Sequence, residues 1–110
     1  MSERSSAVLI EDMREALQKI FVYTEGLSEK DFLSNEMVID AVLRNFEVLG
    51  EAASKLPDGL KSEHNAIEWH KLIGIRNRPI HGYFGVSSAI VWQTISNDLP
   101  IVREQLEHLA

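Results

Sequence analysis

The sequence predicts an all-α fold: an up-and-down bundle of four main helices with additional short helices. Three observations carry this. Apolar residues recur at helical spacing through most of the 110 residues. Period-two alternation over a strand length is nowhere found. Turn signals, chiefly Gly26 and Pro57-Asp58-Gly59, fall between the periodic runs. At this length the chain reads as one domain, residues 1–110, without repeats, low-complexity tracts or a linker.

Each element has its own signature. Ser5 or Ser6 can cap a first helix, because a serine hydroxyl accepts from the unpaired amides of the first turn. Leu9, Met13, Ala16, Leu17, Ile20 and Phe21 follow at helical spacing, and Gly26 falls where a left-handed C-terminal cap belongs. Ser28 to Asp31 is a weak capping signal for a short helical turn through Leu33. Ser34 or Asn35 opens the longest helix, expected over about 36–56. One seam of that helix runs Val38, Val42, Asn45, Leu49, Ala52, Leu56, and a second runs Ile39, Leu43, Phe46, Gly50, Ala53. Two adjacent seams make a broad buried face and a central helix. Gly50 would let another backbone approach closely. Asp40, Arg44, Glu47, Glu51 and Lys55 cover the wet face. Asn45, a polar group on a buried seam, reads first as a satisfied core amide and second as a residue lining a site.

Residues 57–66 read as a loop with room for one helical turn. Asn65 is the expected cap of the next helix, which begins near Ile67. Pro79 then removes the amide that would bond the carbonyl of Ile75, and Gly82 loosens the chain further, so a bent or ending helix is expected across 77–82. Val86-Ser87-Ser88 opens the last helix. Its stripe of Val91, Ile95, Leu99, Val102, Leu106 and Leu109 keeps phase through Pro100, which predicts one helix kinked at that proline. Trp69 and Trp92 read as packing anchors.

Composition limits the function. There is no cysteine, so a disulfide framework and thiolate metal sites are both out. The start Met1-Ser-Glu-Arg lacks the pattern of a signal peptide, and no apolar run approaches the 18 or so residues that span a bilayer. A cytoplasmic setting without membrane contact is the expectation. The net charge is −6, which makes the chain a poor generic binder of nucleic acid. The charge is segregated, however. Residues 69–97 contain no acid and carry +3 through Lys71, Arg76 and Arg78, while the rest holds eight bases against 17 acids. That stretch is the candidate for meeting an anion.

Within it, Arg76, His81 and Tyr83 suit phosphodiester chemistry without a metal. Arginine presents a planar fork of donors to phosphate oxygens. Histidine gives or takes a proton near neutrality. On RNA, a base can activate the 2′-hydroxyl to attack the adjacent phosphorus, and an acid can protonate the leaving 5′-oxygen, each transfer giving typically about 10²–10⁴-fold. Arg76 and His81, five residues apart, would point about 140° from one another on a straight helix, so the bend at Pro79 matters. One histidine per chain does not easily serve as both acid and base, whereas a symmetric dimer supplies two. Arg78 reads first as a solvated or dimer-contact charge and second as a further phosphate contact. His64, His70 and His108 have no metal-ligand spacing, and no metal or other cofactor is expected. Gly82 and Gly85 follow no strand and do not form a phosphate loop.

The run Arg76-Asn77-Arg78-Pro79-Ile80-His81, followed by Gly82-Tyr83, resembles the catalytic signature of the HEPN superfamily in the version ending His-X-Tyr. The likeness extends through Ala41–Ala53, Trp69, Ile73–Arg78 and Val91–Pro100, which resemble the HepT-like ribonuclease family over almost the whole chain. That resemblance implies a HEPN-like helical homodimer whose motifs meet at the interface. It implies a metal-independent endoribonuclease toxin acting on RNA, with catalytic Arg76 and His81 and a supporting Asn77. It also implies a partner, an MntA-type nucleotidyltransferase antitoxin that silences the toxin by adenylylating Tyr83. Pro79 departs from the family, which more usually has an aliphatic residue there. A second reading, a non-catalytic nucleotide- or substrate-binding subunit for a nucleotidyltransferase, draws on the acidic balance and Pro79. A third is a plain helical dimerisation module.

Overall fold

The computed structural model describes residues 4–76 and 88–109. Its elements are α1 (Ser6–Thr24), α2 (Glu29–Leu33), α3 (Glu36–Lys55), α4 (Asp58–Glu63), α5 (Trp69–Ile75), α6 (Ser88–Gln93), a π-helical turn (Thr94–Asp98) and α7 (Leu99–Glu107). Among the described residues there is no strand. The all-α class expected from the periodicity is what the chain adopts.

The first helix is set at both ends by its caps. Ser5 Oγ accepts from the Val8 amide at 3.2 Å, and past the end Gly26 takes a φ of +77°, a left-handed conformation that costs glycine little. The expected stripe is buried apart from Phe21, which packs half-buried against the core, and it is joined by Ile10 and Thr24. Thr24 enters the core because its hydroxyl donates to the Ile20 carbonyl at 2.8 Å, which removes the cost of an unpaired polar group. The short α2 is better specified than its weak signal implied. Ser28 Oγ accepts from the Asp31 amide and Asp31 Oδ2 accepts from the Ser28 amide, both at 3.1 Å, a reciprocal box. Those caps hold Phe32 fully buried, with its ring centroid 5.2 Å from that of Trp92.

Helix α3 is central, as its two seams require. Asn35 Oδ1 caps it by accepting from the Val38 amide at 3.1 Å. Val42, Leu49 and Ala53 are fully enclosed, while Val38, Ile39 and Leu43 pack half-buried beside them. The broad face takes α1 along one side and α5 along the other, and α7 closes against α1. Asn45 donates through Nδ2 to the Ala41 carbonyl at 2.9 Å, so the buried amide is satisfied by its own helix.

One expectation needs correction, and another is met in a specific form. Asn65 does not cap the next helix. The chain instead turns tightly, with the Ile67 amide donating to the His64 carbonyl and the Trp69 amide to the Ile67 carbonyl. Helix α5 starts at Trp69, with Glu68 ahead of it and no side-chain cap. Burial of Ile67 and Trp69 decides the entry, and Trp69 Nε1 fastens it by donating to the His64 carbonyl at 3.1 Å. The local disturbance expected at Pro100 takes the form of a widened turn just upstream. Pro100 has no amide to offer the Ser96 carbonyl, and the π-helical turn over Thr94–Asp98 brings the proline to the second residue of α7, where a missing amide costs nothing. Helical backbone nonetheless runs from Ser88 to Glu107, and all six stripe residues are buried.

The bundle is closed by a basic side chain from the opposite end of the chain. Arg14 of α1 donates through Nη2 to the carbonyls of Leu106 and Leu109, at 2.7 and 2.6 Å. The Leu106 carbonyl also accepts from the Leu109 amide, and both carbonyls lie at or just past the C-terminal end of α7, where a cation is favoured.

Candidate active site

Helix α5 ends at Ile75, the residue whose carbonyl would need an amide at position 79, where the chain has proline. The next residue is Arg76, with φ −62° and ψ −27°. Its backbone is fixed by contact with α3. A Cβ added to Gly50 would lie 2.7 Å from Arg76 Cβ and 3.1 Å from both the Arg76 nitrogen and the Leu72 carbonyl oxygen. Only a residue without a side chain lets the end of α5 seat there. The close approach expected of Gly50 is therefore real, and what approaches is the candidate catalytic arginine. Leu72 and Ile75 lock the seat by burying against the core.

The guanidinium is anchored from the next turn of the same helix. Arg76 Nη1 donates to Glu51 Oε2 at 3.0 Å and to Ser54 Oγ at 3.0 Å. The Ser54 hydroxyl itself donates to the Glu51 carbonyl at 2.7 Å, so its oxygen is left to accept from the arginine. The other Glu51 oxygen, Oε1, lies 3.7 Å from Lys55 Nζ. Neither anchoring contact falls on Arg76 Nη2 or Nε. The Arg76 side chain is 30% exposed and that of Glu51 53%. At such exposure an ion pair contributes about 0–1 kcal/mol to stability, so its main effect is to orient.

Arg76 thus lies at the surface, at the C-terminal end of α5, attached to the central helix. Asn77, Arg78, His81 and Tyr83, and the bend expected across 77–82, lie outside the described residues. Among the described residues no three of His, Asp and Glu gather as a metal-ligand group. His64 and His108 follow the ends of α4 and α7, and His70 lies in α5.

Sequence reasoning missed two members of this site. Glu51 reads as one more acid on the wet face of α3, and it is on that face. Nothing in its local pattern shows that an arginine 25 residues later arrives beside it. Ser54 carries no signal of its own. The one usable hint was Gly50, a glycine of close approach directly before an acid. The stretch that holds no acid in sequence therefore has an acid against its first arginine in space.

Comparison with known proteins bears on what this arrangement serves. The family model described as "Ribonuclease HepT-like" matches residues 13–109. The chain belongs to the HepT-like ribonuclease family. A relative from Thermococcus cleftensis, named "Probable ribonuclease HepT", is 34% identical over 107 residues, covering 97% of each chain. A Methanocaldococcus jannaschii protein named as a candidate RNase is 27% identical over 107 residues, covering 97% of this chain and 98% of its own. Another candidate RNase, from Caldanaerobacter subterraneus, is 33% identical over 85 residues, 77% of this chain and 76% of its own. No solved structure gives a significant match. At the family level this supports ribonuclease activity, and the HEPN-type helical fold agrees with the bundle described above. No helix among the described residues is long and apolar enough to cross a membrane.

Proposed function

We propose that this HepT-like protein is a metal-independent endoribonuclease toxin, in which Arg76 and His81 act on the RNA phosphodiester at a composite site in a homodimer cleft. One observation carries the reading. An arginine in a +3 stretch is held at the surface by one corner of its guanidinium, with its backbone clamped to the central helix. That supports a phosphate-binding fork: a fixed base, with Nη2 and Nε taken up by neither anchoring contact.

The chemistry runs as follows. One histidine takes the proton of the 2′-hydroxyl. The oxygen attacks the adjacent phosphorus, and the P–O5′ bond breaks as the 5′-oxygen receives a proton from a second acid. His81 from two subunits supplies base and acid, and Arg76 neutralises the charge gathering on the non-bridging oxygens. The products are a 2′,3′-cyclic phosphate and a 5′-hydroxyl, with hydrolysis of the former giving a 3′-phosphate. Asn77 supports the pair, and Arg78, whose first reading is a solvated or dimer-contact charge, is the candidate for a further phosphate contact. The toxin is silenced by an MntA-type nucleotidyltransferase antitoxin that adenylylates Tyr83 beside the motif, placing a bulky anion where the substrate phosphate would bind.

The test is cleavage of RNA by the purified protein in the presence of EDTA, with the ends of the fragments analysed. Undiminished cleavage with cyclic-phosphate or 3′-phosphate ends is expected. Cleavage that EDTA abolishes, or fragments with 5′-phosphate ends, would contradict the mechanism. For the partner, incubation with the nucleotidyltransferase and ATP should add one adenylyl group and stop cleavage. Tyr83→Phe should escape both effects.

A further inference from the structure

The Arg76 anchor has a consequence for the reaction itself. An arginine side chain has many rotamers, and ordering it during the reaction is a cost that a prior tether removes. Glu51 Oε2 and Ser54 Oγ, each 3.0 Å from Nη1, are such a tether. Both come from one turn of the central helix, and both are themselves oriented, Glu51 by Lys55 and Ser54 by the Glu51 carbonyl. Against this stands the charge of Glu51, which repels the substrate phosphate. A phosphate on the far edge of the guanidinium would sit roughly 6 Å from that carboxylate. At that distance in a largely aqueous setting the repulsion weakens binding by a factor of about three, and salt screens it further. For the tether to help, ordering of the guanidinium must outweigh this.

We propose that Glu51, with Ser54 beside it, is a positioning residue that fixes the Arg76 guanidinium for phosphodiester cleavage. The inference rests on the nuclease reading above. It predicts a split between the kinetic parameters. Removing the carboxylate lowers kcat, because the fork is no longer held in place. It leaves KM unchanged or slightly lower, because a repulsive charge has gone. A merely structural residue would not divide the two in this way.

The experiment measures steady-state cleavage of a short fluorescent RNA by wild type and by Glu51→Ala, Glu51→Gln and Ser54→Ala. Thermal unfolding midpoints are recorded alongside. Glu51→Ala is expected to lower kcat about tenfold without raising KM. Glu51→Gln keeps an acceptor oxygen at the same reach and is expected to recover most of that loss. Ser54→Ala is expected to cost two- to threefold, a fraction of the loss set by one neutral acceptor rather than a charged one. In an Arg76→Lys background, where the fork is absent and a residual rate remains, adding Glu51→Ala should cost less than twofold, since the tether has nothing left to orient. Three results would overturn the inference alone: an unchanged kcat in Glu51→Ala, a rise in KM that accounts for the whole loss, or the same tenfold loss in the lysine background. A fall in the unfolding midpoint large enough to explain the lost rate also counts against it. If wild type cuts no RNA, the nuclease reading fails and this role goes with it, an outcome distinct from the others.

Discussion

Gly50 and Gly74 are both helical glycines in the sequence, yet the structure gives them opposite roles. A Cβ on Gly50 would meet Arg76 Cβ at 2.7 Å, whereas a Cβ on Gly74 would meet nothing within 4 Å among the described residues. Gly50→Ala should therefore destabilise the fold by about 1–3 kcal/mol through overpacking against α5. Gly74→Ala should stabilise it by about 0.5–1 kcal/mol through helix propensity. Urea unfolding of both variants checks the pair, and a Gly50→Ala protein as stable as wild type would mean that α5 does not sit this close to α3. Gly50→Ala should also displace Arg76 and lower RNA cleavage beyond its effect on stability. At this scale the sequence was partly legible. Close approach at Gly50 and the candidacy of Arg76 could be read from spacing and residue type. The Glu51–Arg76 pair could not, because a 25-residue separation is bridged only by tertiary packing.

Among the elements, the short α2 shows how little sequence is needed when caps and one aromatic agree. Its five residues are held by the Ser28–Asp31 box and by Phe32, which is fully enclosed against Trp92. Phe32→Ala should cost about 3–5 kcal/mol, the range for an enclosed phenylalanine. Ser28→Ala should cost about 1 kcal/mol, the loss of one exposed cap. Equal losses from the two, measured by chemical unfolding, would contradict this division between packing and capping. Arg14 makes a different kind of contact, reaching from α1 to carbonyls at and just past the end of α7. Arg14→Met keeps much of the stem, removes both carbonyl hydrogen bonds along with the long, exposed contact to Glu11 at 3.5 Å, and should cost about 1–2 kcal/mol, with little dependence on salt because the main acceptors are carbonyls. The helical stripes of α1, α3 and α7 were legible because period and burial coincide. The start of α5 was not, because a buried tryptophan and isoleucine overrode the cap that Asn65 offered. The π-helical turn was not legible either. Pro100 announces a missing hydrogen bond, and several backbone adjustments can accommodate that.

For the whole molecule, the decisive feature is an acidic bundle that holds the first arginine of its basic stretch at the C-terminal end of α5. Segregation of charge along the chain pointed to that stretch, and the fold attaches its first arginine to the central helix. RNA binding should accordingly be modest and salt-dependent, since few phosphates are met by cations on a chain of net charge −6. The central claim is that Arg76 and His81 act as a unit on one phosphate. The most direct measurement compares RNA cleavage rates of Arg76→Ala, His81→Ala and the double variant with wild type, in EDTA, at matched folding. Each single variant is predicted to lose at least about a hundredfold, and the double variant to lose little more than either one, as for groups that serve a single step. Single variants that cut as fast as wild type, or losses that simply multiply in the double variant, would contradict it.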